Sequence, residues 1–315
     1  MTPTLTNNPL ATTIGDLALS SPLLNASGCF NAPLFDQLTP LRHCMGGIVT
    51  KTVTPQPRPG NWQGRTCELP GLGMLNSIGL QNPGLEVTLA TDLPALAALG
   101  LPIILSLSAE TPEAFGLMVE TIEACPLATT AVAGYELNVS CPNVAQGGVD
   151  FGTNPALITA ITQAVRNTTQ KALWVKLTPN VASVLPMVEA SMAGGASGVT
   201  AINTVLGAHI DIKTKKPMLS RTFGGYSGPG IRPIALYHVM QIHKAFPTVP
   251  IVAVGGIRTT EDVLMFLMAG ASAVQVGTMA FPEPTVFERL AADLHVYCQS
   301  EGIHSLSEVR GIATQ

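Results

Sequence analysis

Asn138-Val139-Ser140-Cys141-Pro142-Asn143 places one thiol between two side-chain amides, directly after the apolar-alternating run Tyr135-Glu136-Leu137. Each amide both donates and accepts hydrogen bonds, which suits a planar, imide-like ligand. A Cys held among such groups at the mouth of a strand can take a proton when its geometry and acidity allow. The structural alternative is a buried Cys that packs as a small hydrophobe at a strand end. The hexapeptide alone favours neither.

Further amides and two lysines recur where apolar runs end. Asn25-Ala26-Ser27-Gly28, Thr50-Lys51-Thr52 and Ile202-Asn203-Thr204 close three such runs, Lys176 lies within a fourth, and Asn76-Ser77-Ile78-Gly79-Leu80 lies in an insert. Lysines and amides with almost no carboxylate suit an electron-rich, partly anionic ligand read by hydrogen bonds. Lys51, flanked by Val49, Thr50 and Val53, reads as an inward or rim position rather than a solvated strand end. An inward Lys176 must be matched by something. A salt bridge would do, but acids are scarce nearby, and a ligand contact is the favoured reading. Cys29 lies close to the same rim and is the one rival to Cys141. Cys44, Cys125 and Cys298 read as helix packing, Cys67 as part of an exposed insert, and Lys213, Lys215 and Lys216 as a solvated loop face.

Gly255-Gly256 and Gly277-Thr278 end two late apolar runs, each opening towards a helix start. Glycines there let backbone N–H groups approach a phosphate, and the helix dipole favours the anion. Glycines also end strands for steric reasons, yet two pairs in these two places favour phosphate. Gly224-Gly225-Tyr226-Ser227-Gly228-Pro229-Gly230 is not a dinucleotide fingerprint, because it does not link a strand directly to a helix.

The elements that must position these residues alternate along all 315 residues. Strand-like runs are Pro22–Ala26, Gly47–Val53, Pro102–Ser108, Tyr135–Cys141, Leu173–Thr178, Gly198–Thr204, Pro250–Gly255 and Ala273–Thr278. Helical patterns follow each, over Leu34–Cys44, Pro83–Leu99, Pro112–Cys125, Pro155–Thr168, Val181–Ala193, Ile234–Phe246, Glu261–Ala269 and Pro284–Gln299. Thr111-Pro112 and Asn154-Pro155 pair a capping residue with proline at the first helical position. Eight strand–helix units in series predict an α/β fold, a closed parallel (β/α)8 TIM barrel rather than a doubly wound sheet. A hairpin turning at Gly15-Asp16 is expected to cap its floor. No linker interrupts the chain, so residues 1–315 read as a single domain. Three long connections, 54–82, 142–153 and 205–233, leave the carboxyl ends of strands, where barrel active sites lie. Insertions there build a pocket or lid.

Composition narrows the function classes. Hydrophobic residues make up 46% and charged residues 11%, and mean hydropathy is +0.35. So apolar a surface predicts a covered face and oligomerisation. A net charge of −4 argues against nucleic acid. The uncharged stretch Leu93 to Ala109 is broken by Pro94, Gly100 and Pro102, so no membrane span is expected. Met1 to Pro9 has no basic-then-apolar leader, and the expected location is cytoplasmic. The six cysteines form no CxxC pair and no HExxH occurs, so no metal or disulfide framework is expected.

Nearly the whole chain resembles the class 1 dihydroorotate dehydrogenases, specifically their heteromeric NAD-linked branch. The resemblance rests on Asn25-Ala26-Ser27-Gly28-Cys29-Phe30, on the run from Gly73 to Gly84, on the run from Glu136 to Asn143, and on the run from Ala269 to Thr278. It implies an FMN-containing (β/α)8 barrel that oxidises dihydroorotate to orotate in pyrimidine biosynthesis. Cys141 matches the family's base, which takes the C5 proton while hydride leaves C6 for flavin N5. Lys51, Asn76, Ser77, Ile78, Gly79, Leu80, Asn138, Asn143, Asn203 and Thr204 match the substrate site. Ser27, Lys51, Thr52, Ser106, Asn138, Lys176, Ile202, Gly228, Gly255, Gly256, Gly277 and Thr278 match the FMN site, with Lys176 beside the flavin N1–O2 edge. Membrane-bound relatives generally use Ser as the base, so Cys141 points to the soluble class, and Gln146-Gly147-Gly148 looks like the heteromeric branch.

That branch implies a homodimer joined by an iron–sulfur flavoprotein subunit that carries FAD and a 2Fe–2S cluster and passes electrons to NAD. Two departures stand out. Ser106 replaces the usual Asn at the flavin, and Trp62-Gln63-Gly64-Arg65 lacks the usual proline. The alternatives are an FMN enzyme for another dihydropyrimidine, or a Schiff-base lyase barrel using Lys176.

Overall fold

A computed structural model describes residues 8–30, 39–140, 142–143 and 149–314, with 142, 143, 149 and 150 given by backbone alone. Eight parallel strands form one sheet: β1 (Leu23–Asn25), β2 (Ile48–Val49), β3 (Ile103–Leu107), β4 (Val132–Asn138), β5 (Ala172–Leu177), β6 (Gly198–Ala201), β7 (Ile251–Val254) and β8 (Ala273–Val276). Spatial order follows chain order, from β2 through β8 and on to β1. The ring closes where Leu24 bridges Gly47 and the Gly46 N–H donates to the Leu23 carbonyl at 2.9 Å. This is the expected (β/α)8 barrel. The strands fall on the expected runs, except that β4 begins at Val132 rather than Tyr135 and β5 at Ala172 rather than Leu173.

Between the strands lie α1 (Leu85–Val87), α2 (Leu93–Ala97), α3 (Pro112–Glu123), α4 (Pro126–Ala131), α5 (Pro155–Arg166), α6 (Leu185–Ala193), α7 (Arg232–Ala245), α8 (Thr260–Met268) and α9 (Val286–Glu301). The expected caps form. The Thr111 hydroxyl accepts from the Ala114 N–H, and the Asn154 amide oxygen accepts from Ala156 and Leu157. The single helix expected over 83–99 is instead broken by a π turn, Thr88–Asp92, whose last bond runs from the Leu93 N–H to the Thr88 carbonyl. Pro94 has no N–H with which to continue an α register, so the ladder slips at the preceding residue. Of the helix expected over 34–44, residues 34–38 lie outside the described residues, and the rest includes a 3-10 turn, Pro40–His43.

The barrel interior is layered. Its floor is apolar: Leu24, Val49, Ile104, Trp174, Val252 and Ala273 pack with Ile14 and Leu19. Ile14 and Leu19 belong to the hairpin Thr12–Ile14/Leu17–Leu19, which turns at Gly15-Asp16 as expected. Above the floor the interior becomes polar, with Ser106, Glu136, Lys176, Thr200 and Gln275 all buried. Apolar floor and polar upper layers direct any ligand to the carboxyl ends of the strands.

Two of the long connections combine in a way the sequence did not suggest. Thr66–Leu69 and Gly73–Asn76, from the connection after β2, pair with Gly224–Ser227 and Val205–Gly207, from the connection after β6. This antiparallel sheet forms a lid with its own small core of Cys67, Leu75 and Leu219. Cys67 is therefore buried, not exposed. The third connection returns as a hairpin, Pro142–Asn143 against Val149–Asp150. Lys213, Lys215 and Lys216 are exposed, in and beside the Ile210–Asp211/Lys216–Pro217 hairpin. No helix among the described residues is long and apolar enough to cross a membrane.

Candidate active site

At the barrel mouth, side chains from five strand ends join one hydrogen-bonded chain. The Thr52 hydroxyl is its hub, 3.2 Å from Ser27 Oγ, 2.9 Å from Ser106 Oγ and 3.1 Å from the Asn138 amide nitrogen that donates to it. Asn138 Oδ1 in turn accepts from Asn203 Nδ2 at 3.4 Å, and Asn203 Oδ1 accepts from the Thr204 N–H at 2.8 Å. Ser27, Thr52, Asn138 and Asn203 sit just past or at the ends of β1, β2, β4 and β6, so parallel pairing alone brings them together. Ser106 is fully buried on β3. Its hydroxyl bonds Thr52 and its N–H donates to Thr50 Oγ1, so it fixes the hub from below.

Asn25 does not join this group. Its amide donates to the Val49 carbonyl at 2.7 Å and accepts from the Val49 N–H at 3.0 Å, bridging the β1–β2 seam. It closes the barrel instead of reading a ligand.

One layer down, Lys176 is not left to a ligand alone. Its Nζ lies 3.3 Å from Glu136 Oε1 and 3.5 Å from Gln275 Oε1. Glu136 Oε2 accepts from Thr200 Oγ1 at 3.0 Å and from Gln275 Nε2 at 2.6 Å. The scarcity of acids expected from the sequence is thus corrected. Glu136 is 40 residues away in the chain but on the neighbouring strand. Sequence reasoning missed Glu136, Thr200 and Gln275 as a unit, although the alternation of inward residues, with Glu136 two before Asn138, carried the signal.

The end of β2 supplies a second cation, beside the lid. Lys51 is half-buried, and burial together with nearby Arg65 pulls its ammonium below the usual lysine range. Arg65 is held by the Asn61 carbonyl at 3.1 Å and Gln81 Oε1 at 2.7 Å. Asn76 lies in the lid, its amide donating to the Gly225 carbonyl at 3.3 Å. Beyond it, Gly79 and Leu80 take left-handed conformations, φ 76° and 55°. A Cβ on Gly79 would lie 2.9 Å from the Asn61 backbone nitrogen, so this turn packs against Asn61. The buried hydroxyls of Ser77 and Ser140 have no hydrogen-bond partner among the described residues.

The two glycine pairs differ. A Cβ on Gly256 would sit 2.6 Å from Arg232 Cβ, and one on Gly255 2.9 Å from Ala235 Cβ, so packing against α7 requires both. At Gly277 a Cβ would meet nothing nearer than Ala26 Cβ at 3.4 Å, and chain packing does not demand glycine there. Thr278 donates to Ser227 Oγ at 2.8 Å, which ties β8 to the lid beside Gly228. Ile202 is buried just beyond β6.

Cys141 lies outside the described residues, as do Gln146-Gly147-Gly148, and Asn143 is described by backbone only. The rival thiol, Cys29, is pushed up to about 12 by burial, with Lys176 pulling the other way. It stays protonated near neutrality and makes a poor base.

Comparison with known proteins agrees with this geometry. A family model described as dihydroorotate dehydrogenase matches residues 9–297. A protein of Listeria monocytogenes serotype 4a named dihydroorotate dehydrogenase B (NAD(+)), catalytic subunit, is 42% identical over 306 residues, covering 96% of this chain and 98% of its own. Proteins of the same name from Geobacillus sp. (strain WCH70) and Enterococcus faecalis are 42% and 43% identical, each over 96% of this chain and 95% of theirs. With a polar barrel mouth, a lid over it and a match of this extent, the chain belongs to the dihydroorotate dehydrogenase family.

Proposed function

We propose that this chain, as one barrel domain over residues 1–315, is the catalytic subunit that oxidises dihydroorotate to orotate in pyrimidine biosynthesis. The observation that carries the reading is the chain of hydroxyls and amides from Ser27 through Thr52 and Asn138 to Asn203, with a buried lysine beneath it. That donor and acceptor set fits FMN. Thr52, Asn138 and Lys176 would hold a ring edge of mixed donors and acceptors, while Gly277 offers backbone that no neighbouring side chain crowds. Ser27, Ser106, Ile202, Gly228, Gly255, Gly256 and Thr278 complete the FMN site in this reading. FMN, when bound, supplies the hydride acceptor.

The chain's own residues do the rest. Lys51 and Arg65 give a half-buried positive rim suited to the substrate carboxylate, which favours a carboxylated ring over dihydrouracil. Asn76, Asn138, Asn143 and Asn203 hold the ring amides, and the turn from Ser77 to Leu80, with Thr204, walls the site. Cys141, three residues after Asn138 in the sequence, is the residue this reading assigns to removing the C5 proton. Engagement of Lys176 by Glu136 and Gln275 supports a positioned cation rather than the free amine a Schiff-base lyase needs.

The likeness to NAD-linked catalytic subunits supports an electron-transfer partner with FAD and a 2Fe–2S cluster. Exposed Leu206, Ile210, Ile212 and Phe223 in the connection after β6 supply apolar surface for subunit contacts, including a homodimer. The test is anaerobic stopped-flow with the Cys141→Ala and Cys29→Ser variants. Flavin bleaching by dihydroorotate should collapse in the first and persist in the second. Wild-type rates in Cys141→Ala would refute the assignment.

A further inference from the structure

The interior of a (β/α)8 barrel is ordinarily filled by Val, Ile and Leu. Here an ionic pair sits inside it: the Glu136 side chain is 0% exposed and that of Lys176 is 7% exposed. Such a pair is costly to bury unless its remaining polar sites are also satisfied. On Glu136 they are. Donors from three other strands converge on its carboxylate: Lys176 from β5, Thr200 from β6 and Gln275 from β8. Gln275 touches both members, giving its N–H to Glu136 and offering its carbonyl to Lys176. That bridging fixes the amide's orientation and locks the pair in one geometry. Lys176 has three N–H donors. Two are directed at Glu136 and Gln275, and among the described residues nothing engages the third. In strand register Lys176 pairs with Asn138, a residue of the hydrogen-bonded chain above it.

We propose that Glu136, clamped by Gln275 and Thr200, is a positioning residue that aims Lys176 at the cofactor and offsets part of its charge, thereby restraining how strongly the site stabilises an electron-rich ring. This rests on the reading of Lys176 as the cation at the flavin N1–O2 edge. A cation acting alone would pull electron density on to the ring most strongly. A buried carboxylate 3.3 Å behind it opposes that pull. Glu136 would thereby keep a bound flavin from being so strongly stabilised in its electron-rich form that electrons could not pass onward. Neutralising Glu136 while keeping its shape removes the opposing charge.

The experiment measures sulfite affinity and two-electron midpoint potential of the FMN-loaded protein, wild type against Glu136→Gln. Sulfite binding probes the stability of negative charge on the ring and does not use the substrate chemistry. The expected result is sulfite binding about tenfold tighter, with the potential raised by the equivalent of about 30 mV for a two-electron couple. Glu136→Asp, which retracts the carboxylate by one methylene and keeps an acid in the barrel, should move both readouts the same way by less. In a Glu136→Gln/Lys176→Met double variant the tightening should vanish, because the effect runs through Lys176. If folded, yellow Glu136→Gln and Glu136→Asp proteins keep wild-type sulfite affinity and potential, the proposal is wrong while the site reading stands. If Lys176→Met alone leaves both quantities unchanged, or the wild-type chain binds no FMN, the underlying reading fails and takes the proposal with it.

Discussion

Replacing Asn25 by Leu should open the barrel at its weakest seam. β1 and β2 are joined by a single bridge, Leu24 to Gly47, and by the Gly46 to Leu23 hydrogen bond. The Asn25 side chain adds two more bonds, at 2.7 and 3.0 Å, to the carbonyl and N–H of Val49. Both residues are 0% exposed, so water cannot replace the lost partner. Two buried backbone groups left unpaired cost about 1–3 kcal/mol each, or roughly 2–6 kcal/mol together. The unfolding entropy of a 315-residue chain at about 2.1 cal/mol/K per residue is roughly 0.66 kcal/mol/K, so a mid-range loss of about 4 kcal/mol lowers Tm by about 6 °C. Circular dichroism melts give the stability, and hydrogen exchange followed by NMR or mass spectrometry reports on the Val49 amide. The amide should change from protected to fast-exchanging while the β5 and β6 amides remain protected. An unchanged Tm with a still-protected Val49 amide would refute the claim that this side chain closes the barrel.

Thr52→Val removes the hub shared by Ser27, Ser106 and Asn138, and should weaken FMN binding about tenfold, the equivalent of one net hydrogen bond of about 1.4 kcal/mol. Fluorescence titration of the apoprotein with FMN checks it. Away from the mouth, burial pushes the Glu123 carboxyl up, but hydrogen bonds from Tyr135 and Thr169 and the Lys171 ammonium outweigh it and hold the group below the usual range. A depressed folded pKa means the stabilisation is present above the unfolded value and is lost as pH falls through the folded one. Glu123→Gln should therefore melt below wild type at neutral pH, with the gap closing below about pH 4. A gap that stays constant with pH would show that Glu123 contributes through shape alone.

The barrel was legible because every strand is an apolar run that ends in polar or glycine residues, and a parallel barrel gathers those ends on one rim. Ser27, Thr52, Asn138 and Asn203 followed from that rule alone. Asn25 obeyed the same rule and had a different fate, since nothing local marks which strand pair forms the closing seam. The lid was not legible either. Asn76 and Gly225 pair across 149 residues, and their strands are short and glycine-bearing, without a sustained alternating pattern. The Glu136–Lys176 pair escaped for a related reason: its members are 40 residues apart in the chain and meet only across the β4–β5 pairing. The π turn was not legible in the helical pattern over 83–99, although Pro94, with no N–H to donate, marks a place where an α register is interrupted.

The most direct test is the absorbance spectrum of the purified chain before and after anaerobic addition of dihydroorotate. A yellow protein whose flavin bands bleach on addition, at a rate that collapses in Cys141→Ala, is the predicted result. A colourless protein, or flavin bands that dihydroorotate leaves unchanged, would contradict the assignment of this barrel mouth.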